Sequence, residues 1–326
     1  MRRRSALARM AALCAAILAR PALPQQKQQR VGFLTSASPE AYRESLEALV
    51  TALAAHGYVQ GPNLAVEQRW SEGAEAALEK LAGELAAIPV DVIVTWGTSA
   101  TAAAQKATRR VPIVMANTAD PLGSKFVQTL ARPGGNITGV SSISTDLSGK
   151  VLSLLKEILP KATRIGVLRN PANPVTRRHL QNARRAAEDL GIELVAAEVA
   201  PEGSLETAFA RLAAARVEGA IVLADPTFVS RREQLASLAL KHRLPVAYQR
   251  SENVDAGGLI SYSADLREQF RLAASYVHRI LQGATPAELP VVQPTKVELV
   301  ANLKTARALG ISIPPAVLLR ADRVIE

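Results

Sequence analysis

Residues 30–34 read RVGFL, and residues 164–168 read RIGVL, 134 positions further along the chain. Both stretches run into a polar turn that contains proline, TSASP in the first case and RNPANP in the second. Further on, Pro112 and Pro245 stand in the matching segments TRRVPI and KHRLPV, 133 positions apart. The nearly constant offset predicts two similarly built units, one beginning near residue 30 and the other near residue 164.

Short apolar segments alternate with amphipathic segments along both units. Tyr42, Leu46 and Leu49 recur at spacings of three and four residues, which is the pattern of one helix face. The apolar segments at 92–96 (VIVTW) and 220–224 (AIVLA) have no polar face, as expected of strands that helices cover on both sides. We therefore predict an α/β fold of two similar doubly wound parallel-sheet lobes. The predicted strands are residues 30–34, 64–70, 91–96, 112–116, 137–140, 164–168, 192–197, 219–224, 245–248 and 258–262.

The loops that follow equivalent strands are the candidate binding site. In an open parallel sheet, ligands bind beyond the carboxyl ends of the strands, so two facing lobes would hold a ligand between these ends. Ser, Thr, Asn, Asp and Gln side chains and helix N-termini can hydrogen-bond a small polar ligand, although the same residues also favour N-cap positions. The candidate ligand-binding residues are Ser36, Ser38, Gly97, Thr98, Ser99, Asp120, Asn170, Asp225, Thr227 and Gln249.

The N-terminus has the composition of a secretory signal peptide. Basic residues up to Arg9 precede a continuous apolar stretch at 10–19, and a Gln-rich polar run follows. We predict a signal peptide at residues 1–25 and a periplasmic location, while an N-terminal anchoring helix and lipidation of Cys14 stay open. Cys14 is the single cysteine of the chain, so a protein cut after it has no disulfide and no cysteine metal ligand.

The basic charge of the chain lies partly in this segment. The net charge is +10, and five of the arginines fall within the first 20 residues, so that +5 remains for the rest. Two Trp, five Tyr and five Phe are also few for stacking on bases. We therefore expect no nucleic-acid partner. A repressor of similar two-lobe design would need DNA-binding helices where the signal-like segment stands.

Motifs for catalysis and cofactors are few. The sequence has no GxxxxGK[ST], no GxGxxG and no HExxH motif, so we expect no catalytic residues, no cofactor and no metal. The GTSAT stretch at 97–101 resembles a nucleophile elbow without its final glycine. A serine hydrolase that uses Ser99 therefore remains an alternative, with its base taken from His56, His179, His242 or His278.

Several motifs resemble one known family. The stretch ARPGGNITGV at 131–140, preceded by ADP at 119–121, is similar to the hallmark of ABC-transporter substrate-binding proteins of the tryptophan-binding TrpX-like type. Gly97-Thr98-Ser99 after a strand, Asn170-Pro171 and the segment GLISY at 258–262 fit the same pattern. The similarity extends from about residue 29 to the C-terminus.

The resemblance implies a type I periplasmic-binding-protein fold with two lobes joined by a multi-strand hinge. It implies a first lobe at 28–160 plus 258–283 and a second lobe at 161–257 plus 284–326. It also implies capture of a small ligand by lobe closure, with an amino acid, possibly aromatic, or a related carboxylate as the ligand. The partner would be an ABC permease with a separate ATPase, and the protein would be a monomer. A ligand-sensing protein of the same fold that is not coupled to transport is the alternative.

Overall fold

The computed structural model describes residues 28–200 and 203–326, so the predicted signal peptide lies outside the described residues. These residues form two lobes, each built on one β-sheet with helices packed on both of its faces. No helix in the described ranges combines the length and the apolarity that a membrane crossing requires.

The first lobe contains five parallel strands. They are β1 (Gln29–Thr35), β2 (Leu64–Trp70), β3 (Val92–Trp96), β4 (Ile113–Ala119) and β5 (Ile137–Ser142), in the order β2-β1-β3-β4-β5. The helices that cover this sheet are α1 (Pro39–Ala55), α2 (Leu78–Ala87), α3 (Thr98–Ala107) and, from a later part of the chain, α10 (Leu266–Leu281). Short 3-10 turns occur at Glu75–Ala77 and Pro286–Glu288.

The second lobe contains seven strands. They are β6 (Arg164–Arg169), β7 (Glu193–Glu198), β8 (Gly219–Val222), β9 (Val246–Tyr248), β10 (Ile260–Ala264), β11 (Val297–Asn302) and β12 (Arg323–Ile325). The longer helices are α4 (Ser144–Ile158), α5 (Thr176–Leu190), α6 (Leu205–Ala214) and α8 (Arg232–Lys241). The shorter helices are α7 (Pro226–Ser230), α9 (Ser251–Asp255), α11 (Leu303–Leu309) and α12 (Pro315–Leu318).

The order of the strands confirms the predicted duplication. The second sheet contains the run β7-β6-β8-β9-β10, which repeats the order β2-β1-β3-β4-β5 of the first sheet strand for strand. Only β11 and β12 extend the second sheet beyond this plan, and β11 pairs antiparallel with β10. The predicted α/β fold of two parallel-sheet lobes is therefore confirmed.

The apolar composition of the central strands accounts for this layering. Every residue of β3 is buried, and in β1 the side chains alternate between two cores. Phe33 packs with α1 and α10 on one face, whereas Leu34 packs with α2 and α3 on the other. A strand that buries both faces in this way needs no polar side, which is why the sequence reads as a continuous apolar run.

The predicted lobe boundary at residue 160 is wrong. The chain leaves the first sheet after Ser142, and α4 packs on the second lobe rather than on the first. Its apolar face, with Val151, Leu155 and Ile158, joins the same core as Ile165 of β6. The burial of this face fixes the first crossing between the lobes near residue 143.

The predicted boundaries at 258 and 283 also differ from the structure. Strand β10 pairs with β9, so residues 260–264 belong to the second sheet, and only α10 returns to the first lobe. The following segment stays there, because Leu289 joins the first-lobe core and Val292 bridges to Val140 of β5. The last crossing therefore lies at residues 293–296, immediately before β11.

The glycine-rich motif at 133–139 has a structural role. Gly139 has φ of +122°, and a Cβ there would lie 2.4 Å from the carbonyl oxygen of Met115 on the adjacent strand. Gly134 has φ of +75°, and a Cβ there would meet the Gln128 side chain at 2.5 Å. Any larger residue at these two positions would disturb the backbone around β4 and β5.

Candidate ligand-binding site between the lobes

The carboxyl ends of the two parallel sheets face each other across a small cavity of about 20 Å³. Both lobes contribute to its walls, because the loops after β3 and β4 meet those after β6, β8 and β9. The lining residues are Trp96, Gly97, Thr98, Asn117, Ala119, Ser144, Asn173, Val175, His179, Ala224, Asp225, Pro226 and Arg250. This is the position that the open-sheet rule predicts for a ligand.

Three contacts join the lobes around this cavity. The backbone N–H of Ser38 donates to Ser230 Oγ at 3.0 Å. Arg250 Nη2 donates to Asn117 Oδ1 at 2.8 Å. Gly97, with φ of +94°, faces a proline of the opposite lobe so closely that an added Cβ would lie 3.0 Å from Pro226 Cγ. The structure is therefore a closed form, in which the lobes touch through side chains and backbone.

Arg250 is the cation of the cavity. It is only 6% exposed, and its guanidinium lies 5.7 Å from the centre of the Trp96 ring. Within the described residues, no carboxylate lies at ion-pair distance from it. Its hydrogen-bond acceptor Asn117 is held from behind by Gln269 at the start of α10. The charge of Arg250 acts on the buried carboxyl of Glu252, where it opposes the rise in pKa that burial causes, but no described carboxylate contacts the guanidinium directly. The guanidinium is therefore suited to an anionic group of a ligand.

Asp225 is the anion of the cavity, and its oxygens are already occupied. One oxygen accepts hydrogen bonds from the backbone N–H of Thr227 at 2.9 Å and from the Thr227 hydroxyl at 2.5 Å. The other accepts from the side-chain amides of Asn170 at 3.2 Å and Asn173 at 2.8 Å. Burial raises the pKa of Asp225, and these hydrogen bonds act against that rise. The residue caps α7 and ties the loop after β6 to it.

Two aromatic side chains flank the cation. The rings of Tyr42 and Trp96 lie 3.9 Å apart, and each side chain is only 1% exposed. Neither the Tyr42 hydroxyl nor Trp96 Nε1 has a hydrogen-bond partner among residues 28–200 and 203–326. Burial raises the pKa of Tyr42, and the charge of Arg250 partly offsets this. The pair thus offers an aromatic surface and two hydrogen-bonding groups next to the cavity.

A neutral histidine completes the wall on the second lobe. His179 Nδ1 lies 2.8 Å from Ser148 Oγ, and Nε2 lies 3.5 Å from Ser144 Oγ. Burial, together with the nearby charge of Arg250, lowers the pKa of His179 to about 3. Gln249 fixes the same segment, because its Nε2 donates to the Ser144 carbonyl at 2.7 Å and to Ser148 Oγ at 3.1 Å. The imidazole is therefore uncharged at neutral pH.

A second compartment of about 390 Å³ opens beside this cavity. It lies between the first-lobe segments that carry Glu75 and Ser99 and the loop at 172–174 of the second lobe. Its lining is Glu75, Ala76, Leu78, Glu79, Ser99, Ala102, Ala103, Lys106, Ala172 and Pro174. Thr98 faces the small cavity and Ser99 faces this compartment, so the two spaces are neighbours.

The structure distributes the ten candidate residues over several roles. Gly97, Thr98 and Asp225 line the cavity, and Ser99 lines the neighbouring compartment. Asn170, Thr227 and Gln249 are buried and hydrogen-bond to wall segments, Ser36 is buried beside Glu75, and Ser38 contacts the opposite lobe. Asp120 is not brought to the cavity, because its carboxylate accepts the N–H of Gly123 within its own turn. The role of each as a ligand contact stays a prediction.

The ten candidate residues do not include Tyr42, Glu75, Trp96, Asn117, His179 or Arg250, although Asn117 and Arg250 lie in the paired stretches 116–121 and 248–250 at the ends of equivalent strands, and His179 is a candidate base of the hydrolase alternative. A signal was available for His179, because Thr176, Leu180, Ala183 and Ala187 of α5 are also buried and mark the face on which it lies. The arginines at 177, 178, 184 and 185 lie on the exposed face of the same helix, as a solvated charge run should. The other five depend on how two distant segments meet, and the local pattern does not show this.

Comparisons with known proteins agree with this architecture. A tyrosine-binding protein of Clostridioides difficile (strain R20291) is 24% identical over 285 residues, which cover 87% of this chain and 81% of the relative. The crystal structure of an ABC domain in complex with L-Trp from Streptococcus pneumonia superposes with a TM-score of 0.84 at 26% identity, covering 92% of this chain and 100% of that chain. A conserved domain protein of Vibrio cholerae has the same TM-score at 31% identity, covering 92% and 99%.

A family of binding proteins, not of enzymes, accounts for nearly all of the described chain. Its model, described as ABC transporter substrate binding protein, matches residues 30–325, from the first strand of the first lobe to the last strand of the second. The match therefore includes both sheets, all three crossings and the cavity between the lobes. On this evidence the chain belongs to the family of ABC transporter substrate-binding proteins.

Proposed function

We propose that this protein is an exported solute-binding protein that captures a small carboxylate, an aromatic amino acid or a related compound, between its closing lobes. The buried guanidinium of Arg250 carries this proposal, because it faces the cavity without a carboxylate partner among the described residues. A ligand carboxylate would form the direct ion pair that the described carboxylates do not form, and the planar guanidinium can bind it with two parallel hydrogen bonds.

Neighbouring side chains and the named relatives support an aromatic amino acid as the ligand. Trp96 lines the cavity, and the Tyr42 ring packs against it at an interplanar angle of 47°, so an aromatic ligand would meet the Trp96 ring. One relative is named for binding tyrosine, and one solved structure holds L-Trp. Ligand contacts on both lobes would favour the closed form over an open one, because a ligand shifts the population toward the state that it binds better.

Titration calorimetry and thermal unfolding test this function. The purified protein is titrated with L-tryptophan, L-tyrosine, L-phenylalanine, non-aromatic amino acids and arylpropionates. Arg250→Gln should weaken binding at least about tenfold, because a hydrogen bond to a charged group contributes about 1.5–3 kcal/mol. Arg271→Gln is the matched control, because Arg271 is an exposed arginine that pairs with Glu268 on α10. If no carboxylate binds to the wild-type protein, the proposal is wrong.

The proposed function also includes the location of the protein and its partner at the membrane. We propose that residues 1–25 direct export to the periplasm, and that the monomeric protein delivers its ligand to an ABC permease with a separate ATPase. Deleting the protein should then abolish uptake of the labelled ligand, and a chain that begins after residue 25 should remain in the cytoplasm. Uptake that persists after deletion would favour the alternative of a ligand sensor that is not coupled to transport.

None of the candidate histidines is placed to act as the base of the hydrolase alternative. Ser99 Oγ makes no hydrogen bond of ordinary geometry to any described residue. His179, the histidine of the cavity, is engaged with Ser148 and Ser144 instead. His56 and His278 stack on each other at 4.3 Å, and His242 lies beside Phe209. We therefore propose that the protein has no catalytic activity, and we expect no turnover of an ester panel by the wild-type protein.

A further inference from the structure

The compartment beside the cavity has an apolar wall and a polar inner end. Alanines at 76, 102, 103 and 172, together with Leu78 and Pro174, supply the apolar lining. Glu75 and Ser99 stand where this compartment meets the cavity. Thr98, the neighbour of Ser99, and Asn173, the neighbour of Ala172, line the cavity itself. One ligand that extends from the cavity into this compartment would therefore contact Arg250 in the first space and Glu75 and Ser99 in the second.

The polar end has unused hydrogen-bonding capacity. Glu75 Oε1 and Ser99 Oγ are both buried and lie near each other, since the Ser99 hydroxyl acts on the pKa of Glu75, but neither atom completes a hydrogen bond of ordinary geometry in the described ranges. Buried polar atoms are hydrogen-bonded in nearly all proteins, so two such atoms at one end of a compartment mark a place for a ligand group. Asp225 alone could not accept the hydrogen bonds of such a ligand group, because its two oxygens already accept four hydrogen bonds.

The charge around this end favours a cation. Burial raises the pKa of Glu75 to about 7, and the charge of Asp225 on the opposite lobe adds to the rise, while the hydroxyls of Ser99 and Ser36 act against it. The other charged groups of the compartment are Glu79 and Lys106, which pair with each other at its exposed rim. A positive group placed between Glu75 and Asp225 would relieve the repulsion between the two carboxyls.

We propose that Glu75 and Ser99 form a subsite for the ammonium group of the ligand, and that this subsite makes capture stronger as the pH rises. The inference rests on the proposed function, because it assumes that the ligand carboxylate lies on Arg250. An ammonium group has three donors, and a carboxylate and a hydroxyl can both accept from it. The subsite would thus select amino acids over carboxylates of the same shape that lack the amino group.

The pH dependence follows from the ionisation of Glu75. The ammonium group of the ligand stays protonated across the neutral range, whereas Glu75 must lose its proton to form the ion pair. With half-ionisation at about pH 7, the ionised fraction of Glu75 rises about 30-fold between about pH 5.5 and about pH 8. The affinity for an amino acid should rise by a similar factor over that range. A deaminated analogue should show no such increase.

The experiment compares L-tryptophan with indole-3-propionate, which has the same skeleton without the amino group. Calorimetric titrations at about pH 5.5 and about pH 8 are made on the wild-type protein, Glu75→Gln, Ser99→Ala and Glu79→Gln. Glu79→Gln is the matched control, because Glu79 lines the same compartment but pairs with Lys106 at the rim. Melting temperatures without ligand verify that each variant is folded.

We expect the wild-type protein and Glu79→Gln to prefer L-tryptophan at the higher pH and to lose most of that preference at the lower pH. Glu75→Gln should bind both ligands similarly at both pH values, and Ser99→Ala should lose part of the preference. Equal binding of the two ligands by the wild-type protein, or an unchanged preference in Glu75→Gln, overturns the subsite and leaves the carboxylate function standing. If neither ligand nor any other carboxylate binds, the proposed function fails and the subsite with it.

Discussion

Replacing Gly97 by alanine should have two separate effects, one on the stability of the protein and one on closure of the lobes. Gly97 has φ of +94° and ψ of 151°, a backbone conformation that is nearly confined to glycine. An alanine there is strained by about 1–3 kcal/mol whether the lobes are open or closed. This backbone strain should lower the melting temperature of the ligand-free protein, and it should not change the affinity for the ligand.

The second effect acts in the closed form only. The new Cβ would lie 3.0 Å from Pro226 Cγ, whereas carbon atoms in ordinary contact are about 3.5–4.0 Å apart. Overpacking of this kind costs about 1–3 kcal/mol, and the open form escapes it because Pro226 belongs to the other lobe. The affinity for L-tryptophan or L-tyrosine should therefore fall about 5-fold to 150-fold.

Two further variants separate these effects. Gly83→Ala is the matched control, because Gly83 lies in α2 with open space around it and should only gain helix stability. The double variant Gly97→Ala/Pro226→Ala should recover affinity without recovering the melting temperature, because it removes the clash but keeps the strained backbone. If Gly97→Ala binds as tightly as the wild-type protein, or the double variant binds no better than Gly97→Ala, the contact is not a constraint on closure.

Three other predictions concern single side chains. Asp225→Asn should lower the free energy of unfolding by about 1–3 kcal/mol, measured in urea, because an amide group cannot accept all four hydrogen bonds. The free energy of unfolding of the wild-type protein should fall as the pH falls from about 6.5 toward 3, because His179 takes up a proton in the unfolded chain but resists protonation when buried. The His179→Gln variant should lack this part of the pH dependence. Gly139→Ala should destabilise the first lobe by at least about 3 kcal/mol in the same urea assay, whereas Gly135→Ala, where a Cβ meets nothing, should be nearly neutral.

The duplicated sheet could be predicted from sequence because its signal is local and repeated. Each strand is a short apolar run, and the matched stretches at 30–34 and 164–168 became β1 and β6, at equivalent places in the two sheets. The lobe boundaries could not be read in the same way. Strand β10 (ISYSA) has a composition similar to that of first-lobe strand β5 (ITGVSS), and only its backbone pairing with β9 assigns it to the second sheet.

The sequence predicted which loops line the cavity between the lobes, but not which charged side chains are buried there. The open-sheet rule located the loops, because the carboxyl ends of parallel strands meet at one edge. Arg250 lies two residues beyond a strand, where an arginine is usually exposed to solvent, and its contacts with Trp96 and Asn117 come from the other lobe, which the local sequence does not show. Glu75 is a similar case, because its pKa depends in part on Asp225 of the second lobe.

The repeat also explains why closure brings these particular residues together. Asn117 follows Pro112 by five positions and Arg250 follows Pro245 by five, so the hydrogen bond between them joins equivalent positions of the two units. Two similar lobes that face each other through equivalent sheet edges are related by an approximate two-fold axis, and positions that lie near such an axis are close to their own counterparts. The duplicated fold therefore accounts for the two equivalent sheet edges that face each other. The different residues at matched positions, Asn117 and Arg250, make the two edges chemically unlike. This asymmetry, with an amide on one side of the cleft and a guanidinium on the other, is the one on which the proposed carboxylate site rests.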